Sequence, residues 1–384
     1  MAGLPARREH AALPLTQWPE QDRQAWDAAN RQPDFLVPGG HAARWRPASQ
    51  RNAERAHGRW LAWLLEQGVA LANEAPMARI TPERFTAYVA FLRKGRAPCT
   101  VVGYLSWFSM LCKAMFPEGD WRWLHQAHNN LQREARPTRD KRSRMVPAQG
   151  LLQLGHELME HAGTVLDDAS VATTQPRQRV AAARDFRDGL MIALLALRPL
   201  RVTNFLGITI GRHLRRSGDR VTLSFAGEET KTKRPIETIW PEELLLSLDR
   251  YLAEVRPILM AAKVSVDPAR PPRPAGAILW VGQGGTPLTP GGLTKALQRH
   301  TTRHFGHYVN AHLFRDCLAT TVANEDPDHV HMAQHMLHHT KLSTTERSYI
   351  LTDSRLALRR HHDLMAKLRK AARQRLRARA ENAP

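Results

Sequence analysis

Two side chains three residues apart, His312 and Arg315, open the stretch of this sequence best suited to chemistry. It begins H-L-F-R-D and runs on to Q-H-M-L-H-H-T-K-L-S-T-T-E-R-S-Y. His339 follows Arg315 by 24 residues, and Tyr349 follows His339 by ten. On a helix, positions three apart share a face. An arginine forks a phosphate through paired N–H groups. A histidine donates to a further oxygen or relays a proton. A tyrosine can attack phosphorus and hold it covalently. These types in this order point to phosphoryl transfer through a covalent ester.

Composition narrows the substrate. The 384 residues carry 56 Lys and Arg against 36 Asp and Glu, a net charge of +20, which suggests a polyanionic partner, most simply nucleic acid. The length suggests two or three domains, and a 42% hydrophobic share is ample for packed cores. Cys99, Cys112 and Cys317 have no CxxC spacing, so neither a disulfide framework nor a cysteine zinc site is indicated, and a reducing compartment fits. No apolar run approaches the length of a membrane span and no secretory h-region is evident, so a cytoplasmic chain is expected.

The elements that must position the chemistry follow from periodicity. Residues 1–50 hold many Pro and Gly and read as a loosely ordered arm with a short helix over 21–30. Residues 51–135 read as a small all-helical domain. Trp60, Leu61, Trp63, Leu64 and Leu65 form one apolar face, and Thr81-Pro82-Glu83 is a helix start. Further helices are expected over 100–115 and 121–133. Trp60, Trp63, Trp107, Trp121 and Trp123 keep helical period, which favours core packing over base stacking. Residues 136–147 form a basic linker whose Arg136, Arg139, Lys141, Arg142 and Arg144 would run along a phosphate backbone. A helix is expected after Pro147, a polar loop over 164–178 and an apolar helix over 179–197. Residues 208–240 alternate as short strands about a turn, and helices are expected over 241–259, 293–303 and 312–324.

The run H-x-x-R … L-x-H … S-T-T-x-x-x-Y resembles the tyrosine recombinase (phage integrase) family. The resemblance covers about residues 50–350 and implies a mainly α fold: a helical core-binding domain, then an α-rich catalytic domain over 148–354 with a small antiparallel β-sheet or hairpin. It implies a catalytic arginine in the turn after the apolar helix, where R-P-L-R-V-T-N stands and Arg201 fits, with Arg198 as a rival. It implies a catalytic lysine on the strand turn, where T-K-T-K-R-P makes Lys231 the choice and Lys233 the alternative. His312, Arg315, His339 and the nucleophile Tyr349 complete the set. The pattern departs from the family at Pro199 for Gly, Asn204 for Glu, Asp316 for His and His338 for Gly, and in the His339–Tyr349 spacing of ten rather than nine.

What the resemblance implies is site-specific cleavage and rejoining of double-stranded DNA through a 3′-phosphotyrosine, with neither metal nor ATP. It also implies a tetramer on two duplexes, work on mobile elements, and residence on the nucleoid when DNA-bound. Two alternatives stand: a type IB topoisomerase, and a DNA-binding protein of this kind without catalysis. The histidines His329, His331, His335, His338 and His339 have no nearby Cys and few convergent acids, so no metal site is expected there. His156, Glu157 and His161 also miss the zinc-protease spacing. The basic tail over 355–384 keeps an apolar stripe compatible with packing on its own body, on a neighbouring protomer, or on DNA.

Overall fold

The structure is a computed structural model, and it describes residues 12–138, 140–262 and 274–325. His339, Tyr349, Arg139 and the tail over 355–384 lie outside the described residues. The fold is mainly helical with one small antiparallel sheet, as the sequence reading expected. The chain divides into two compact units, the first ending at Asp140 and the second beginning at Lys141.

The first unit is all helical among its described residues: α1 (Glu20–Asn30), α2 (Pro47–Glu66), α3 (Pro82–Gly95), α4 (Pro98–Met115) and α5 (Arg122–Glu134). The start of α3 has the expected cap, with the Thr81 hydroxyl accepting from Arg84 N at 3.3 Å and Pro82 at the first helical position. Trp60 lies fully buried, 5.2 Å from Tyr88 and 5.1 Å from Phe108 between ring centroids. Trp63 and Trp121 are buried too, and Trp107 and Trp123 pack against the same core. Residues 12–50, read from sequence as a loose arm, are built into this core: Trp18 and Trp26 are buried, and so is Asp22. The Asp22 carboxylate takes Arg79 Nη2 at 2.9 Å and His57 Nε2 at 2.7 Å. Burial pulls its pKa upward, but these two partners outweigh that and hold it below the usual range.

The second unit is organised about α8 (Pro176–Leu197), whose residues from Leu190 to Ala196 are all buried. Helix α6 (Ala148–Asp167) crosses it at two glycines: a Cβ on Gly189 would lie 2.6 Å from Gly155 O, so any side chain there forces the helices apart. The stretch read as a polar loop over 164–178 is instead the end of α6, the short α7 (Ala169–Thr174) and the start of α8. Asp168 restarts the helix by accepting from Ser170 N at 2.8 Å, and Pro176 opens α8. The short α9 (Val202–Leu206) follows, then β1 (Leu214–Ser217), β2 (Arg220–Phe225) and β3 (Ile236–Ile239).

The strands form an antiparallel sheet in the order β1-β2-β3, with Leu214 opposite Leu223 and Phe225 opposite Ile236. Val221, Leu223 and Phe225 point into the core, the period-two pattern that marked this strand in the sequence. The helix expected over 241–259 is a run of unlike turns: α10 (Leu245–Arg250), a π turn (Tyr251–Val255) and α11 (Arg256–Ala261). Pro257 has no N–H for the regular ladder, which accounts for the widened turn before it. Helices α12 (Pro290–Phe305) and α13 (Ala311–Glu325) close the described chain. Among the described residues no helix is long and apolar enough to cross a membrane.

Candidate active site

The buried end of α8 fixes the first part of the site. After Leu197 the chain turns through Arg198, Pro199 and the buried Leu200 into Arg201, which precedes α9. Arg198 turns toward the sheet, with Nε donating to Thr238 Oγ1 at 3.2 Å and Nη1 to Leu197 O at 3.0 Å. Arg201 is half-buried, and burial lowers its pKa from the ordinary arginine value. Among the described residues its side chain makes no hydrogen bond or ion pair.

Helix α13 supplies the second part. Asn310 caps it: its Oδ1 accepts from His312 N and from Leu313 N, each at 3.0 Å. His312 thus sits in the first turn and Arg315 one turn on, buried, with its guanidinium donating to Pro199 O. That bond fastens α13 to the turn carrying Arg201. Burial and then the charge of Arg201 bring the Arg315 pKa down to about 10, while Asp316 acts the other way. His312 keeps an exposed edge, yet burial still lowers its pKa. Asp316 opposes that shift, and Lys141, Arg315 and Arg201 add to it. Arg201, His312 and Arg315, separate in sequence, therefore share one electrostatic environment.

Lys141, Pro199 and Asn310 belong to that environment, though the sequence assigned them otherwise or not at all. Lys141, expected to follow a phosphate backbone, places Nζ 3.1 Å from Asp316 Oδ2. The pair spans 175 residues, so no sequence spacing signals it. Pro199, noted from sequence only as a departure from the resembled pattern, contributes its carbonyl, a group every residue owns. Asn310 was findable, since an Asn just before a helix is a capping signal.

The third part is the connection between β2 and β3. Asn204 on α9 donates from Nδ2 to Glu229 O at 3.2 Å and ties this connection to the Arg201 turn. Glu229 accepts from Ala226 N at 3.0 Å and meets Arg212 and His213. The hydrogen bond from His213 is the largest cause holding its carboxyl below the usual range. Buried Thr230 donates across the loop to Arg234 O at 2.7 Å. Lys231 and Lys233 stand exposed on this braced loop, Lys233 at φ 55°. The structure thus brings Arg201, His312 and Arg315 together and places Lys231 and Lys233 on a loop tethered to the same turn. Of the basic set over 136–147, Arg136 and Arg142 are exposed and Arg144 half-buried.

Among the described residues, one group of acidic and imidazole side chains is concentrated enough to hold an ion. Ligand atoms of Asp185, Asp188 and His300 lie within 4.8 Å of one another. The guanidinium of Arg299 fills that position, with Nη2 2.9 Å from Asp185 Oδ1 and 2.8 Å from Asp188 Oδ2. Asp188 also takes Arg187 at 2.6 Å, so its charge is met from within the chain.

No family model matches the sequence, and no curated protein matches it. Among solved structures the chain is similar to the XerH site-specific recombinase bound to difH substrate in a pre-cleavage complex. The identity there is 14%, with 79% of this chain and 77% of that chain covered and a TM-score of 0.49. It is also similar to XerA recombinase, at 18% identity over 85% of this chain and 94% of that chain, with a TM-score of 0.38. At such identities and scores, chemistry is assigned from the residues themselves.

Proposed function

We propose that this chain is a tyrosine recombinase that cuts and rejoins double-stranded DNA. The observation that carries the reading is the pairing of Arg201 with buried Arg315. Two like charges held together are costly unless an anion joins them, and Arg201 finds none among the described residues. A DNA phosphate meets that need, with each guanidinium on one non-bridging oxygen. Their charge is then matched to the pentavalent transition state.

In this reading the Tyr349 phenolate attacks phosphorus, the bond to the 5′ oxygen breaks, and that oxygen leaves with the electron pair. Lys231, or Lys233 beside it, supplies the proton, and His312 and His339 donate to the phosphate oxygens. The 3′-phosphotyrosine conserves the bond energy, so a 5′ hydroxyl of a partner strand reverses the step without ATP. Four protomers on two duplexes accommodate such an exchange. The segment over 51–135, together with the residues from 12 onward that share its core, is the core-binding domain, and that over 148–354 the catalytic domain.

The experiment is incubation with nicked duplexes drawn from the DNA flanking the gene, followed by denaturing electrophoresis. A covalent protein–DNA adduct that disappears in Tyr349→Phe supports the reading. DNA binding without an adduct on any of these duplexes removes it. That outcome would favour the binding protein without catalysis, a reading to which the Asp316 carboxylate within the site lends support. Relaxation of a supercoiled plasmid without strand exchange would favour the topoisomerase.

A further inference from the structure

Between α1 and α2 the first unit presents an apolar tip to solvent. Phe35 is 97% exposed, Leu36 83% and Val37 42%, in a chain whose other large apolar groups near this loop are packed away. The tip is a built feature. Asp34 N donates to Val37 O at 2.9 Å and closes the turn, and Gly40 N donates to Arg31 O at 2.9 Å and closes the neck. A Cβ on Gly40 would lie 2.2 Å from Ala28 O, so the neck can be this narrow only with glycine there. Below it, Trp26 and Trp45 pack at 6.4 Å between centroids. Exposing two large apolar side chains on an anchored support, where burial elsewhere would stabilise the fold, marks a surface made for contact.

The charge around the tip identifies the partner. Residues 31–51 contain Arg31, Arg44, Arg46 and Arg51, all exposed, against the single acid Asp34. An apolar point bracketed in sequence by exposed arginines fits a groove walled by phosphates and floored by stackable bases. We propose that Phe35 and Leu36 form a wedge that enters the minor groove of duplex DNA and parts one base step, with the flanking arginines on the adjoining phosphates. The inference rests on the DNA reading above, and it adds that the chain bends its substrate from the first unit, apart from the residues that act on the scissile phosphate.

The test uses the full chain and an A·T-rich duplex of about 30 base pairs with a fluorophore at each end, its energy transfer reporting the bend. Binding of the native chain is expected to raise the transfer. The double variant Phe35→Ser/Leu36→Ser, whose altered side chains face solvent, is expected to melt like the native chain and to bind within about tenfold of it. It should leave the transfer at the level of free DNA. Arg44→Ala/Arg51→Ala should instead weaken binding and flatten its salt dependence. A double serine variant that still bends the duplex overturns the wedge and leaves the recombinase reading intact. So does a native chain that self-associates without DNA in a way the serine variant loses, since the tip then belongs to a contact between copies. A native chain that does not bind DNA overturns both.

Discussion

Arg315 donates from its buried guanidinium to the main-chain oxygen of Pro199, two residues before Arg201. One side chain thus holds the turn that presents its partner. Arg315→Ala leaves that carbonyl unmet inside the protein, a loss of about 1–3 kcal/mol, as well as removing a phosphate ligand. Urea unfolding should show the lower midpoint, and adduct formation should vanish. Arg315→Lys keeps the charge but not the planar fork, and it should fail in the adduct assay as well.

Arg201 gives the contrasting case. It has no side-chain hydrogen bond or ion pair among the described residues and crowds Arg315 electrostatically. Arg201→Ala should unfold at the native denaturant concentration or above it. Its rate of DNA cleavage should fall on the order of 10²–10³-fold, the scale for removing one donor to a transition-state oxygen. Equal losses of stability and rate would place Arg201 in the scaffold instead.

Asn204 ties the loop bearing Lys231 and Lys233 to α9 through Glu229 O. Asn204→Ala should release that loop at a cost of about 1 kcal/mol. Limited trypsin digestion should then cut faster after Lys231 and Lys233 than in the native chain, with cleavage in α8 unchanged. Unchanged cutting would mean that Thr230 and Glu229 brace the loop unaided.

His312 titrates below 6.5 in the folded chain, chiefly through burial. Its folded pKa is depressed, so the unfolded chain takes this proton first. The contribution to stability is complete above 6.5 and is lost as pH falls toward the folded pKa. Denaturation midpoints measured between about pH 5 and 7.5 should fall on acidification, and less steeply in His312→Gln. Asp316→Asn should move the His312 titration further down, followed by NMR of the ring protons, because Asp316 is its opposing charge. Lys141→Met should move it up.

Local order was legible where chemistry is local. Thr81-Pro82 announced α3, and the alternation of Val221, Leu223 and Phe225 announced β2. The family motif singled out Arg201, His312 and Arg315, which the fold brings together. Contacts between distant segments were not legible. Neither the Arg315–Pro199 bond, across 116 residues, nor the Lys141–Asp316 pair leaves a trace in spacing. The stretch 164–178 looked like a loop because it is polar, whereas Asp168 caps one new helix and Pro176 opens another. The aromatic anchors Trp18 and Trp26 were hidden among the prolines of residues 1–50, whose density suggested looseness.

The carboxylate of Asp22 reaches from the first helix to a guanidinium, Arg79, that is only 1% exposed. A shortened protein beginning near residue 51, the boundary that composition suggests, would take the carboxylate from both Arg79 and His57 and open the core that Trp18 and Trp26 fill. The opening segment is therefore a keystone rather than an appendage. Anyone trimming the gene for crystallisation or fusion should cut ahead of α1, never behind it.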